Sequence, residues 1–289
     1  MSTIFTFAGK AGDAIMQWPV AYQWSKATGK KFTCWMDEKS CKMVAPLFEA
    51  QPCVEKVEFK PGIENYNCGG QPFHFSLETK DFEGHTIYHL GLRAFPVRQL
   101  TLQCLEDCKI PTKIDTNRLS SEPSLIVDGK DAAVRFFTPT KNRVILHGQP
   151  VCPHNRQIPQ FWKFLAGIAP WLEANFDEIL FVGDERDREV GLRTYPSWKE
   201  YDDEGNFLNL ARMIAESCLV IGVGSSVVTL GGALKVSTVR VHDPIGNHPK
   251  VIWSNLGQNQ LNDAEIELRT SFPPFRNKWL SGAMEAVNG

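Results

Sequence analysis

The chain has 289 residues, 43% of them hydrophobic, a formal net charge of −2 and a pI near 6.4. That is enough length and apolar content to fill two ordinary domains or one large one, and the charge balance carries no strong nucleic-acid signature, giving no basic footprint for non-specific binding. No stretch reaches the roughly 18 uninterrupted apolar residues that cross a bilayer, and the N-terminus lacks the basic start and cleavage site of a secretory signal, so a cytoplasmic protein with no integral membrane segment is expected.

Eight cysteines, Cys34, Cys41, Cys53, Cys68, Cys104, Cys108, Cys152 and Cys218, are scattered without a CxxC pair and read as reduced, structural thiols. Cys104 and Cys108 lie four apart on an expected helix but lack a second pair of ligands, so no metal site is expected there.

In chain order, Ile4 to Phe7 is a buried strand entering the glycine loop Ala8-Gly9-Lys10-Ala11-Gly12-Asp13, and an apolar helix follows from Ala14 to Trp24. Asp13 stands in the first turn of that helix. A carboxylate there caps free backbone N–H groups and meets the positive end of the helix dipole, and it is equally well placed to act as a base; both roles stand open. Lys31 to Met36 is a second strand, about Ser40 to Ala50 a helix, and Val54 to Phe59 an alternating, half-exposed strand. This β-α-β-α-β order predicts a parallel sheet with right-handed crossovers and ligands at the C-terminal strand ends, where Gly9 to Asp13 lies.

Pro61 to His85 is rich in Gly, Pro, Asn and aromatics and has no period, which predicts a long loop. His74, His85 and His89 fall in or near it and read as surface or packing histidines. A helix is expected over Leu100 to Cys108, then a Pro-, Ser- and Thr-containing stretch to about Lys141 with a short strand near Ser124 to Val127.

A second α/β unit follows: strand Arg143 to His147, helix Phe161 to Ile168, strand Glu178 to Val182 ending in Gly183-Asp184-Glu185, helix Leu208 to Glu216, buried strand Cys218 to Val223, helix Val227 to Leu234 and strand Thr238 to Val241. The boundary between halves falls near Pro139 to Asn142. A cleft between two Rossmann-like halves suits a ligand that bridges them.

Gly224-Ser225-Ser226 brings backbone N–H groups, two hydroxyls and a helix dipole to one point, which suits a phosphate; a tight turn with serine caps is the plain alternative. The segment is neither a Walker loop nor a Gly-x-Gly-x-x-Gly fingerprint. Arg156 is placed in sequence to reach the same cleft, where a guanidinium pairs well with a diphosphate.

Gly12-Asp13-Ala14 through Pro19-Val20-Ala21, then Gln51-Pro52-Cys53-Val54-Glu55-Lys56-Val57, resemble the opening of the heptosyltransferase family of GT-B glycosyltransferases, and Ala211 to Val241 resembles that family's donor-binding segment. The resemblance implies an α/β, GT-B architecture: an acceptor domain over residues 1–140, a nucleotide-sugar donor domain over 141–270, and a crossover helix over 271–289, Phe275 to Val287, returning to the first domain. It makes Asp13 the general base and sets Arg156 against the donor phosphates. Gly224, Ser225 and Ser226 match the family's Asp-Ser/Thr-Gly loop, with Gly224 in place of the Asp and Thr229 in place of a His. The expected donor site is completed by Gly12, His147, Gly148, Gln149, Gly183 and Glu185.

The implied reaction is inverting transfer of a sugar from a nucleotide diphosphate donor to the hydroxyl of a saccharide or other acceptor. No Asp-x-Asp stands at a strand end, so neither a divalent metal nor a cofactor is expected. Trp18, His85, His89, Arg93 and Gln99 are candidate acceptor contacts. Two alternatives keep the fold: a nucleotide-sugar binding protein without transferase activity, and a nucleotide-sugar epimerase or hydrolase using Asp184, Glu185 and His147.

Overall fold

The computed structural model describes residues 2–60, 80–82, 84–90, 125–131, 140–148, 157–223, 225–234, 236 and 238–240. His74, Arg93, Gln99, Gln149, Arg156, Gly224, the Leu100 to Cys108 helix and the Phe275 to Val287 segment lie outside the described residues.

In the first half, β1 (Ser2–Phe7), β2 (Phe32–Met36), β3 (Val54–Phe59), β4 (Lys80–Phe82) and β5 (His85–Leu90) form one sheet in the order β3-β2-β1-β5-β4. β2, β1, β5 and β3 run parallel, and β4 pairs antiparallel with β5. The end of the expected Pro61 to His85 loop is therefore strand, and His85 and His89 stand on β5 beside β1. The pattern hides β5 because this strand lies inside a parallel sheet: Ile87, Tyr88 and Leu90 are all buried, so its exposed and buried positions do not alternate cleanly. His85 and the Ser2 hydroxyl are hydrogen-bonded across the β1–β5 pair.

Helix α1 (Ala11–Thr28) connects β1 to β2, and the short helices α2 (Glu38–Cys41) and α3 (Ala45–Glu49) lead to β3. A hairpin, β6 (Ile126–Val127) and β7 (Lys130–Asp131), turns at Asp128-Gly129, both with positive φ, the conformation that a two-residue hairpin turn requires. The second half holds β8 (Arg143–His147), β9 (Glu178–Phe181), β10 (Lys199–Glu200), β11 (Leu219–Gly222) and β12 (Thr238–Arg240), all parallel, in the order β10-β9-β8-β11-β12. Its helices are α4 (Gln157–Asn175), α5 (Glu185–Thr194), α6 (Phe207–Ala215) and α7 (Ser226–Ala233).

The second sheet buries both faces. Val144, Leu146, Leu219 and Ile221 point to α4, packing with Phe161, Leu165 and Leu172, while Ile145 and Val220 point the other way, toward α6 and α7. That second side merges with the core of the first half: α1 packs on α7 and α3 on α6, so Trp18, Phe48, Leu210, Ile214, Val227 and Leu230 belong to one continuous cluster. This explains why α1 is apolar nearly all round. A helix set between a sheet and a neighbouring helix has little solvent face, and every side chain described from Ala11 to Tyr22 is buried.

Polar ties hold the β6–β7 hairpin to the first half and reinforce the junction of the halves. Gln51 receives the Ile126 N–H at 2.8 Å and returns its own amide N–H to the Ile126 carbonyl at 3.0 Å, Arg212 pairs with Asp128 at 2.8 Å, and the Phe207 N–H reaches the Met43 carbonyl at 2.8 Å.

Candidate functional site

Each sheet has one place where the strand order reverses. In the first it lies between β1 and β5, in the second between β8 and β11, and in parallel sheets ligands sit in the crevice outside the strand ends at such points. The helices that leave these points, α1 after β1 and α7 after β11, touch at their first turns. A Cβ placed on Gly12, in the first turn of α1, would lie 3.3 Å from the Ser226 Cα in the first turn of α7. The Asp13 and Ser225-Ser226 junctions, far apart in sequence, are thus neighbours in space.

At the first junction, Asp13 is only 5% exposed and its Oδ2 accepts the Lys10 backbone N–H at 2.8 Å. The carboxylate therefore caps α1. Gly9, with φ +96, makes room for it: a Cβ on Gly9 would sit 2.6 Å from Asp13 Oδ2. Two residues that the pattern did not reveal hold the loop. Gln17, fully buried one turn along α1, donates Nε2–H to the Ala8 carbonyl at 2.8 Å, and the Cys41 thiol donates to the Gly9 carbonyl at 3.6 Å. Burial, with Asp13 and Asp37 beside it, pushes the Cys41 thiol up to about 12, so it stays protonated as a donor. Gln17 at i+4 from Asp13 is the readable signal, since a polar residue inside an all-apolar helix needs a partner.

At the second junction Ser225 is the N-cap of α7, and its Oγ accepts the Val228 N–H at 3.4 Å. Thr229 donates its hydroxyl to the Ser225 carbonyl at 2.9 Å, so the residue standing where a His was expected is tied into its own helix.

His147 ends β8 next to this junction and is buried, and its carbonyl takes the Val223 N–H at 3.2 Å. Burial drives its imidazole down to about 4, against the opposing pull of Asp184, so it is neutral at pH 7. Gly148 is explained by packing, because a Cβ there would come within 2.6 Å of the Phe161 ring. Gly183 turns with φ +126 at the end of β9, and its carbonyl is held at 2.8 Å by Arg188, a buried guanidinium that also pairs with Glu200 at 3.2 Å and Asp202 at 3.1 Å. Glu185 opens α5 and is exposed.

Trp18 is not an acceptor contact. It is fully buried, 4.5 Å from the Phe48 ring centroid and 5.7 Å from that of Phe32, because it lies on the face of α1 turned to the sheet. Beside α2, an open depression of about 530 Å³ is lined by Asp37, Glu38, Lys39, Lys42, Phe59 and Lys60, at the same strand-end edge as the Gly9 loop. Among the described residues no group of three or more His, Cys, Asp or Glu side chains is arranged to hold a metal ion, Cys34, Cys41, Cys53 and Cys218 are free thiols, and no helix is long and apolar enough to cross a membrane.

Comparison with solved structures places the architecture. The chain shares the fold of the Escherichia coli heptosyltransferase WaaC, solved with ADP, at 15% identity over 93% of this chain and 98% of that one, with a TM-score of 0.53. It is likewise similar in fold to E. coli ADP-heptose lipopolysaccharide heptosyltransferase II, at 10% identity over 89% and 88% of the two chains and a TM-score of 0.54. A glycosyl transferase family 9 protein from Veillonella parvula matches at 13% identity over 99% and 96%, with a TM-score of 0.53. The protein is an α/β chain of parallel sheets with the GT-B fold of these glycosyltransferases. No protein-family model matches the sequence, and no curated protein matches it.

Proposed function

We propose that the protein is an inverting glycosyltransferase that moves a sugar from a nucleotide diphosphate donor to an acceptor hydroxyl. The observation that carries this reading is the meeting of the two helix N-termini at Gly12 and Ser226, which sets a buried carboxylate beside a hydroxyl-capped helix at the reversal points of both sheets. Solved relatives in fold include a heptosyltransferase with ADP bound and one with an ADP-heptose analogue, which supports a sugar nucleotide as the donor class.

In this reading the acceptor oxygen attacks the anomeric carbon from the face opposite the diphosphate while its proton passes to the Asp13 carboxylate. The bond from the anomeric carbon to the phosphate oxygen breaks, the configuration inverts, and the nucleoside diphosphate leaves with the electron pair. Its growing negative charge is met by the backbone N–H groups at the start of α7 and by the Ser225 and Ser226 hydroxyls, and the family resemblance adds Gly224 and Arg156 to this set. These groups supply positive potential without a divalent cation in the proposed step. Neutral His147, with Gly148, Gln149, Gly183 and Glu185, borders the donor side, while the first half, with the depression beside α2, takes the acceptor.

The test is Asp13→Asn. Asparagine keeps an oxygen for the Lys10 N–H, so the melting temperature should hold while turnover falls by roughly 100-fold or more with ADP binding intact. A folded Asn variant with most of its turnover would leave Asp13 as a cap alone, whereas a parent chain that binds ADP and transfers no sugar would favour the binding-protein reading.

A further inference from the structure

Gly12 is helical, one residue into α1, and has no positive φ to explain a glycine. Alanine is the better helix former at such a position, so glycine here carries a cost that something else must repay. The Cβ position supplies the reason. An added methyl would stand 3.3 Å from the Ser226 Cα, 3.4 Å from its Cβ and 3.6 Å from its backbone N, and the nearest of these atoms is backbone, which cannot rotate aside. Both residues are in first turns of helices that belong to different sheets, and the contact is flanked by Asp13 on one side and by the N-cap Ser225 on the other.

We infer that Gly12 is a positioning residue whose missing side chain sets the spacing between the Asp13 carboxylate and the Ser225-Ser226 loop across the two halves of the molecule. It does this by letting α1 and α7 abut, and no contact with a ligand is required of it. The inference rests on the transferase reading above. A methyl group at this point pushes the two junctions apart by a few tenths of an ångström, and misplacement on that scale is felt in a transfer that needs base and leaving group aligned on one carbon. Because α7 keeps its own cap and N–H groups, ADP binding should survive the change.

The experiment is a double-mutant cycle of Gly12→Ala and Ser226→Gly, read by turnover, by ADP calorimetry and by urea denaturation. Gly12→Ala should lower turnover roughly tenfold while ADP affinity stays within about twofold of the parent. Ser226→Gly removes the Cβ opposite the new methyl but also the hydroxyl placed on the diphosphate, so the cycle is read against Ser226→Gly alone: Gly12→Ala should cost less turnover in that background than in the parent, and the two changes are non-additive. Unchanged turnover in Gly12→Ala overturns the inference, as does a Gly12→Ala loss that is as large in the Ser226→Gly background as in the parent. Failure of the transferase reading is distinguishable: a wild-type chain that transfers no sugar sinks that reading, while the urea cycle still judges the contact. Coupling between the two substitutions there upholds the contact and strict additivity overturns it.

Discussion

The junctions at Asp13 and Ser225 share one plan, a buried parallel strand, a tight loop and a helix opening at the point where strand order reverses, yet they finish the helix differently. The first brings its own anion. Asp13 accepts the Lys10 N–H and neutralises the positive end of α1, so a phosphate there meets a carboxylate already in place. The second is finished by a neutral hydroxyl, over an imidazole that burial keeps uncharged, and the positive end of α7 is left without a fixed negative charge from its cap. In the proposed reaction two helix ends built on one plan take opposite tasks, one to hold the base and the other to receive the anion, and the choice of capping residue makes the difference.

The comparison breaks first if the two junctions are not built on one body. Trp18 lies in the cluster that also contains Val227 and Leu230 of α7, and it is fully buried. Trp18→Ala should cost about 3–5 kcal/mol, and it should lower the denaturation midpoint seen by a probe in either half. Urea unfolding followed by one fluorophore in each half checks this; two midpoints, with only the first moved, would show that the halves are energetically separate.

A second test concerns the uncharged ground beneath the Ser225 junction. His147 has a folded pKa of about 4 against an unfolded value near 6.5. Between those values the unfolded chain takes up a proton that the folded chain refuses. Stability from this group is therefore complete above about pH 6.5, falls as the pH drops through the window, and levels off below about 4, a change on the order of 3 kcal/mol. Urea midpoints at pH 7 and pH 4.5 should show that slope in the parent and a shallower one in His147→Asn; equal slopes would place a charged imidazole under the loop and end the contrast drawn here.

Both junctions were legible in the sequence because they are local: apolar strand, glycine or serine turn, helix start, each within about a dozen residues. What escaped depends on contacts between distant segments. β5 is visible only once β1 pairs with it, and without β5 the reversal point beside β1 has no location. α5 begins Glu-Arg-Asp-Arg-Glu, too polar to announce an apolar face, though its Arg188 is the buried support of the Gly183 turn. Trp18, a candidate acceptor contact in the sequence, lies on a helix that is apolar on nearly every side, and the pattern does not say which side meets the sheet. Gly12 and Gly148 enter the expected donor site through the resemblance, and the sequence does not show that a Cβ at either would press on Ser226 or on Phe161.

The smallest expected effect is the sharpest for the contrast of caps. Ser225→Ala removes the acceptor of the Val228 N–H and should cost about 1 kcal/mol of stability, a typical value for a lost N-cap. If α7 is the anion-receiving end, the same change also removes a hydroxyl from the diphosphate and lets the helix end fray, so ADP affinity should fall by about tenfold. Asp13→Asn should move ADP affinity the other way or not at all, because it deletes a negative charge near the same point while keeping the cap on α1. Calorimetry of ADP with the parent and these two variants reads both signs in one series. Weaker ADP binding in Asp13→Asn together with unchanged binding in Ser225→Ala would mean that the carboxylate end, and not the hydroxyl end, holds the nucleotide, and the division of labour between the two helices would have to be reversed.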